Sequence, residues 1–344
     1  MAGHARGPAL SPVDRRRGNT DRLDEDDVRV RPTRHGSRAR TRIRPKHADA
    51  TTGFVTAIDR GRYTCLVDGT EVVAMKAREL GRKGVAVCDR VALVGEVGGG
   101  PDALARIVRV EPRASVLRRT ADDTDPIERV IVANADQLVI VTALADPQPR
   151  ARLIDRCLVA AYDAGLHPLL CLTKADLAPA EQLLEIYRPL DVDYVVTRRG
   201  GDLDDLRGQL AGRMSVLVGH SGVGKSTLVN ALVPTAERVT GQVNPVTGRG
   251  RHVSASAVAL ELPGGGWVID TPGVRSFGLA HVDLARVIHA FPDLEAGTEE
   301  CPRGCTHDEP ECALDAWVAA GHADPARLAS LRRLLATRER HEGD

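Results

Sequence analysis

The sequence predicts a multidomain α/β protein with three folded parts. An N-terminal β-barrel of the oligonucleotide-binding (OB) type precedes a circularly permuted P-loop domain, and a helical zinc-binding segment closes the chain. Three observations predict this. Short strand-like runs recur at roughly ten-residue spacing from Gly53 to Val110. Apolar strands then alternate with amphipathic helices up to Leu279, around a glycine-rich phosphate-binding signature. Beyond Ala280 the strands stop, and three of the seven cysteines fall between Cys301 and Cys312. The expected divisions are a tail over 1–49, the barrel over 50–111, the P-loop domain over 112–280 and the zinc segment over 281–344.

Residues 1–49 hold thirteen Lys/Arg, twelve of them Arg, against seven Asp/Glu, and carry no apolar period. Such a stretch buries too little apolar surface to offset the entropy of ordering, so it is expected to be disordered. Two readings stay open, a solvated tail and a basic arm that adds affinity for RNA phosphates.

The runs GFVTAID, RYTCLVD, EVVAMKA, DRVALVGEV and ALARIVRVE make the five barrel strands, separated by Asp-Gly and glycine-rich turns. Phe54 and Tyr63 are the only aromatic residues there. If the barrel binds RNA, it does so mainly through backbone and phosphate contacts and not by stacking bases on rings. A small barrel without nucleic-acid contact is the competing reading.

In the next segment QLVIVTA, PLLCLTKAD, DYVVT, MSVLVG and WVIDTPG read as buried strands, and RLIDRCLVAAYDAG and KSTLVNALV as helices. Gly219-His220-Ser221-Gly222-Val223-Gly224-Lys225-Ser226-Thr227 fits G-x-x-x-x-G-K-[ST], between the strand MSVLV and a helix. The glycines let backbone N–H groups wrap the phosphates, Lys225 reaches the β- and γ-phosphates, and the Ser226 hydroxyl ligates Mg²⁺. The backbone of His220 suffices for its part. Thr173-Lys174-Ala175-Asp176 ends the strand PLLCL, where a base-reading [NT]-K-x-D element stands. A carboxylate at Asp176 accepts both guanine N1–H and N2–H₂, which adenine cannot offer, and such a site rejects the wrong partner by roughly 10⁴-fold. Thr197 and Arg198, after the strand DYVV, fall where a second base-contacting loop is expected. Asp270-Thr-Pro-Gly273 closes WVID; Asp270 holds Mg²⁺ through a water and the Gly273 N–H meets the γ-phosphate.

The order of these elements is unusual. In Ras-like proteins the P-loop comes first and the base reader late, whereas here residues 173–176 precede 219–226 and D-x-x-G comes last. The same sheet still forms, because the termini of compact domains lie at the surface and often close together.

Permuted order, a leading barrel and a trailing Cys/His cluster together resemble the ribosome small subunit-dependent GTPases. The matching stretches are IDRCLVAA, KADL, GHSGVGKSTLVN, GRGRH, DTPGVRSFGL and CTHDEPEC, over about residues 50–320. The resemblance implies GTP hydrolysis stimulated by the small ribosomal subunit and its rRNA, and a role in late assembly of that subunit. Three positions depart from the family's pattern. His252-Val-Ser-Ala255 stands where His-Thr-Thr-Thr is common, which leaves Ser254, over Thr247, as the first-switch hydroxyl for Mg²⁺. Thr173 replaces the commoner Asn, and the cysteine spacing is a residue tighter on each side.

Hydrolysis needs a water oriented in line with the γ-phosphate. Val274, after D-x-x-G, has no polar atom for this, so His252 in GRGRH is the candidate catalytic residue. A contact of His252 with RNA or solvent is the alternative.

Cys301-x₃-Cys305-x-His307-x₄-Cys312 offers three thiolates and one imidazole, enough to fill a tetrahedral Zn²⁺ with no open position, so one structural zinc is expected. The last helix begins at Asp324-Pro325 and carries Leu328, Leu331, Leu334 and Leu335 on one face, with arginines around it. It reads as a solvated amphipathic helix, with an rRNA contact, which its charge would suit, as the competing reading.

Net charge is zero, 47 basic against 47 acidic residues, so overall charge selects no partner. No apolar run approaches the ~20 residues of a membrane span and no signal-peptide core is present. Scattered cysteines with one metal-like cluster fit a reducing compartment, so a cytoplasmic monomer without membrane contact is expected. A permuted GTPase acting on the large ribosomal subunit is the alternative, although that type usually lacks the barrel and the zinc cluster. A P-loop kinase leaves Thr173–Asp176 unexplained, and an RNA-binding module without nucleotide leaves Lys225, Ser226 and Asp270 unexplained.

Overall fold

The computed structural model describes residues 47–81, 84–100, 103–120, 128–234, 257–271 and 278–338, apart from the side chain at 338. His252, Ser254, Thr247, Gly273 and residues 1–46 lie outside them.

Five strands form the barrel: β1 (Thr51–Asp59), β2 (Arg62–Val67), β3 (Thr70–Lys76), β4 (Arg90–Gly95) and β5 (Ala105–Val110). They pair in the order β1-β2-β3-β5-β4, and β4 returns to β1 to close the ring. Alternation does the work here. In β2 the odd positions Tyr63, Cys65 and Val67 point inward, and Val55, Val72, Ala74, Val91, Leu93 and Ile107 complete a core lined from every strand. This is the five-stranded OB arrangement that the strand spacing predicts.

A hairpin follows, β6 (Val116–Arg119) with β7 (Arg129–Ala133), and then the α/β layer. Its strands are β8 (Gln137–Ala143), β9 (His167–Thr173), β10 (Asp193–Val196), β11 (Met214–Val218), β12 (Val258–Glu261) and β13 (Trp267–Asp270). Five of them run parallel in the order β10-β9-β8-β11-β13, and β12 is antiparallel to β13. All seven residues of β8, at the centre, are buried, as a strand covered on both faces requires.

Side-chain alternation divides the core in two. Leu138, Ile140, Leu170, Leu172 and Val216 face helices α1 (Ala151–Asp163) and α2 (Glu181–Tyr187). Val139, Val141, Leu169, Cys171 and Leu217 face α3 (Asp204–Leu210) and α4 (Lys225–Leu232). Helix α1 buries Ile154, Cys157, Leu158 and Ala161, an i, i+3, i+4, i+7 stripe, and the chain turns out of it at Gly165 with φ +67°.

Two features were not expected from the sequence. First, the barrel and the α/β layer share one eleven-stranded sheet, because β1 pairs with β12 at Ala57 and Val258 and the Phe54 ring packs on Trp267. An ion pair reinforces the junction: Asp89, fully buried, takes two 2.7 Å bonds from the half-buried Arg113, and Asn134 donates to the Cys88 carbonyl. Second, the C-terminal segment packs into the core that α1 covers. It comprises a 3-10 turn at Leu284–Ala290, α5 (Pro292–Glu295), α6 (Ala313–Ala319) and α7 (Pro325–Leu335). Val287, Phe291, Leu294, Leu314, Leu328 and Leu331 join Ile154 and Leu158 in one cluster.

Candidate nucleotide and metal sites

The P-loop begins where β11 ends. A Cβ at Gly219 would sit 2.5 Å from the Val141 carbonyl oxygen, so only glycine lets β11 lie this close to β8. Gly224 has φ +93° and leads into α4. Lys225 is the first residue of that helix and is nearly buried; its ammonium is bound by the Asp270 carboxylate and the Thr271 carbonyl. The Thr271 hydroxyl donates to Leu217 O at 2.7 Å and ties the end of β13 to β11. Ser226 and Thr227 are exposed beside it, and Ser221 and Gly222 are exposed in the loop. The His220 imidazole is turned to its neighbour, Nδ1 lying 2.9 Å from Ser221 O.

Thr173 is the last residue of β9, and its hydroxyl donates to Val223 O at 2.6 Å, inside the P-loop. The Thr-for-Asn departure therefore keeps a direct bond between the two loops. Lys174 has φ +61° and its ammonium donates to the carbonyl of Asp146 in the β8–α1 loop. Ala175 N–H donates to Thr197 O, and Thr197 N–H to Leu172 O, which puts the two loops after β9 and β10 side by side. Asp176 is exposed at the end of this group.

The structure thus brings Thr173, Lys174, the P-loop and Asp270 together at the carboxyl ends of parallel strands, the edge where open α/β sheets take their ligands. The Asp146–Arg150 loop was not singled out from the sequence. Pro147, Gln148 and Arg150 share a shallow hollow with His220 and Val223. Nothing in their spacing marks them; only the fold shows that the loop after β8 abuts the P-loop.

The ligand atoms of Cys301, Cys305, His307 and Cys312 all lie within 4.8 Å of one another. Cys301 Sγ is 4.0 Å from Cys312 Sγ, and both sulfurs are 3.9 Å from His307 Nδ1. Zinc–sulfur bonds of about 2.3 Å and zinc–nitrogen bonds of about 2.0 Å in a tetrahedron put ligand atoms about 3.5–3.8 Å apart. The four donors fit that ion. Burial raises the Cys301 thiol and pushes Cys305 up to about 12, while burial lowers His307. With a divalent cation bound, Cys301, Cys305 and Cys312 would hold it as thiolates and His307 as neutral imidazole.

The arginines of α7 are half-buried and bonded, not freely solvated as the sequence suggested. Arg327 reaches Asp293 and Pro189 O, Arg332 reaches His307 O and Asp315, and Arg333 pairs with Asp155 of α1 and lies over the Tyr187 ring.

A parallel sheet with a P-loop after its late strand β11, and the Thr173-Lys-Ala-Asp176 signature after the earlier β9, defines a circularly permuted P-loop GTPase. Residues 110–280 match the family described as RsgA GTPase. The chain is 42% identical over 248 residues to the small ribosomal subunit biogenesis GTPase RsgA of Pseudomonas aeruginosa, covering 69% of this chain and 72% of that protein. It is 40% identical over 262 residues to the protein of the same name from Chlorobaculum parvum, covering 73% and 84%. The chain belongs to the RsgA GTPase family. Among solved structures it resembles YjeQ from Thermotoga maritima, with TM-score 0.60 and 26% identity over 85% of this chain and 99% of that one. YloQ, a circularly permuted GTPase, shares the fold at TM-score 0.60 and 22% identity, over 86% and 96%.

Proposed function

We propose that this GTPase acts in the assembly of the small ribosomal subunit, binding that subunit and its rRNA and hydrolysing GTP in response. The observation that carries the reading is 42% identity over 248 residues to a relative whose name states that role. The large-subunit alternative gains nothing from these relatives. We assign the parts as a tail over 1–49, a barrel over 50–111, a GTPase domain over 112–280 and a zinc segment over 281–344. The chain acts as a cytoplasmic monomer; among the described residues no helix is long and apolar enough to cross a membrane.

In this reading the backbone of Gly219–Gly224 cradles the phosphates, and Lys225 exchanges its bond to Asp270 for the β- and γ-phosphate oxygens. Thr173 and Lys174 hold the loop from which Asp176 reads guanine. Ser226, Asp270 and Ser254 are the hard oxygen donors that would hold Mg²⁺, which supplies charge neutralisation on the phosphates when bound. Gly273 N–H meets the γ-phosphate. His252 orients a water whose oxygen bonds to the γ-phosphorus as the bond to the β–γ bridging oxygen breaks, releasing GDP and phosphate. Cys301, Cys305, His307 and Cys312 would hold one structural Zn²⁺.

GTP turnover measured alone, with purified small subunits and with large subunits tests this. Stimulation by small subunits only is expected; equal turnover in all three, or stimulation by large subunits, overturns the assignment. In the same assay His252→Ala is expected to lower stimulated turnover by roughly 10²-fold or more with nucleotide affinity unchanged.

A further inference from the structure

Two tethers shape the metal cluster from outside it. The four donors lie on a loop with little core of its own: Cys301, Cys305 and His307 are only half-buried, and among the ligands only Cys312 is buried. His307 has φ +70°, in the left-handed region that a residue with a β-carbon rarely adopts unless it is held there. What holds it comes from α7. Arg332 Nε donates to His307 O at 2.7 Å, and the other two guanidinium nitrogens grip both carboxylate oxygens of Asp315 at 2.8 and 2.7 Å. Asp315 lies in the first turn of α6, the helix for which Cys312 is the N-cap residue. One rigid, permanently charged fork therefore spans the His307 ligand and the helix that starts at the Cys312 ligand. On the far side of the loop, Glu309 accepts from Thr306 N–H and hydroxyl and lies 3.3 Å from Cys305 Sγ.

We propose that Arg332 is a positioning residue for the metal centre, fixing the separation of His307 and Cys312 so that the four donors close on one ion. The inference rests on the zinc reading above. It also has a charge argument. Three thiolates and a neutral imidazole on a divalent cation leave a net charge of −1, and Arg332 is the guanidinium bonded into that loop. The adjacent Arg333 points elsewhere, to Asp155 and Tyr187 of the GTPase layer, so it serves as a control on the same helix.

The test uses the full chain as wild type, Arg332→Met, Arg332→Lys, Asp315→Asn and Arg333→Met. Zinc content is measured first, then zinc affinity by competition with a chromophoric chelator, and the visible ligand-field bands of the cobalt-substituted protein. Expected is one zinc in the wild type and a loss of affinity of roughly 10- to 100-fold in Arg332→Met, with altered cobalt bands. Arg332→Lys should fall between them, because a single ammonium cannot span three acceptors, and Asp315→Asn should lose less than Arg332→Met. Arg333→Met should stay within about twofold of wild-type zinc affinity even where its melting temperature drops. The proposal is overturned if Arg332→Met keeps wild-type affinity, or if Arg333→Met loses as much zinc as Arg332→Met, which would mean general loosening of α7. Should Arg332→Met fail to fold, wild-type affinity in both Arg332→Lys and Asp315→Asn overturns it. A wild type without zinc overturns the proposal together with the metal reading, and the zinc content distinguishes that result from failure of the positioning role alone.

Discussion

The nucleotide end of the sheet draws on segments spread from Thr173 to Asp270, whereas the metal cluster takes all four donors from the twelve residues between Cys301 and Cys312. Compactness along the chain turns out to be a poor guide to self-sufficiency. The scattered loops of the nucleotide site follow the ends of parallel strands; the sheet brings them into register, and Thr173, Lys174, Lys225 and Thr271 tie them to one another and to neighbouring backbone. The compact metal loop depends on Arg332, twenty residues beyond Cys312, for the backbone setting of His307. The nucleotide end rests on several cross-braces set into a layered core; the Cys/His loop rests on the reach of one helix over it.

The largest effect that tests this contrast is removal of the metal. Cys305→Ser with Cys312→Ser should abolish zinc binding and with it on the order of 10 kcal/mol of binding energy. Limited proteolysis should then cut between 281 and 338 while GTP affinity stays near wild type. Lost GTP affinity would mean that the two sites are energetically one.

Asp176→Asn makes the opposite cut. The amide turns a donor towards guanine's donors, so the roughly 10⁴-fold base discrimination should collapse and xanthosine nucleotides should compete better than with wild type. Zinc content and melting temperature should not move. Unchanged preference for GTP over ATP removes residues 173–176 from the site.

At the barrel junction, Asp89→Ala removes the acceptor of two charge-assisted bonds from the part-exposed Arg113 and one from Ala86 N–H, and should cost about 1.5–3 kcal/mol, read as a lowered denaturation midpoint. The barrel and the nucleotide layer share a sheet, so a single cooperative transition is expected, not two. A separate early transition of the barrel would show that the β1–β12 pairing transmits little.

Thr173→Val removes the donor to Val223 O but keeps the side chain's shape. The net worth of such a bond is about 1 kcal/mol, so fluorescence titration should find nucleotide affinity about fivefold weaker, with Thr173→Asn close to wild type. Affinity unchanged in Thr173→Val would show that the sheet alone aligns the two loops. The smallest effect is expected at Asp324, whose carboxylate accepts Ala326 N–H at 2.8 Å and caps α7. Asp324→Ala should cost about 1 kcal/mol of stability, with a slight loss of zinc affinity because α7 carries Arg332.

Much of this molecule was legible in its residues, for reasons that differ by element. Alternation at Tyr63, Cys65 and Val67 marks a half-buried strand, and the uninterrupted run Leu138–Val141 marks a central one, because pleating sends neighbours to opposite faces. Asp324-Pro325 announces a helix start, since one caps an N–H and the other has none to satisfy. Local chemistry of this kind also made the P-loop and the Cys/His cluster visible. The hairpin of β6 and β7 and the strand Val258–Glu261 were not singled out, being four to five residues long with no strong period of their own.

By itself the sequence determined the barrel strands, most strands of the α/β layer, the permuted order of the nucleotide motifs and the grouping of Cys301, Cys305, His307 and Cys312, because each signature depends on residues within a few positions of one another. Only the tertiary structure decided that β1 extends the sheet through β12, that Lys174 meets Asp146, and that Arg332 and Arg333 on one helix reach two different parts of the molecule. Those contacts join residues from 25 to about 200 positions apart. A hydrogen bond between such residues leaves no period or spacing in the chain, since its partners are chosen by which surfaces the packed core brings together.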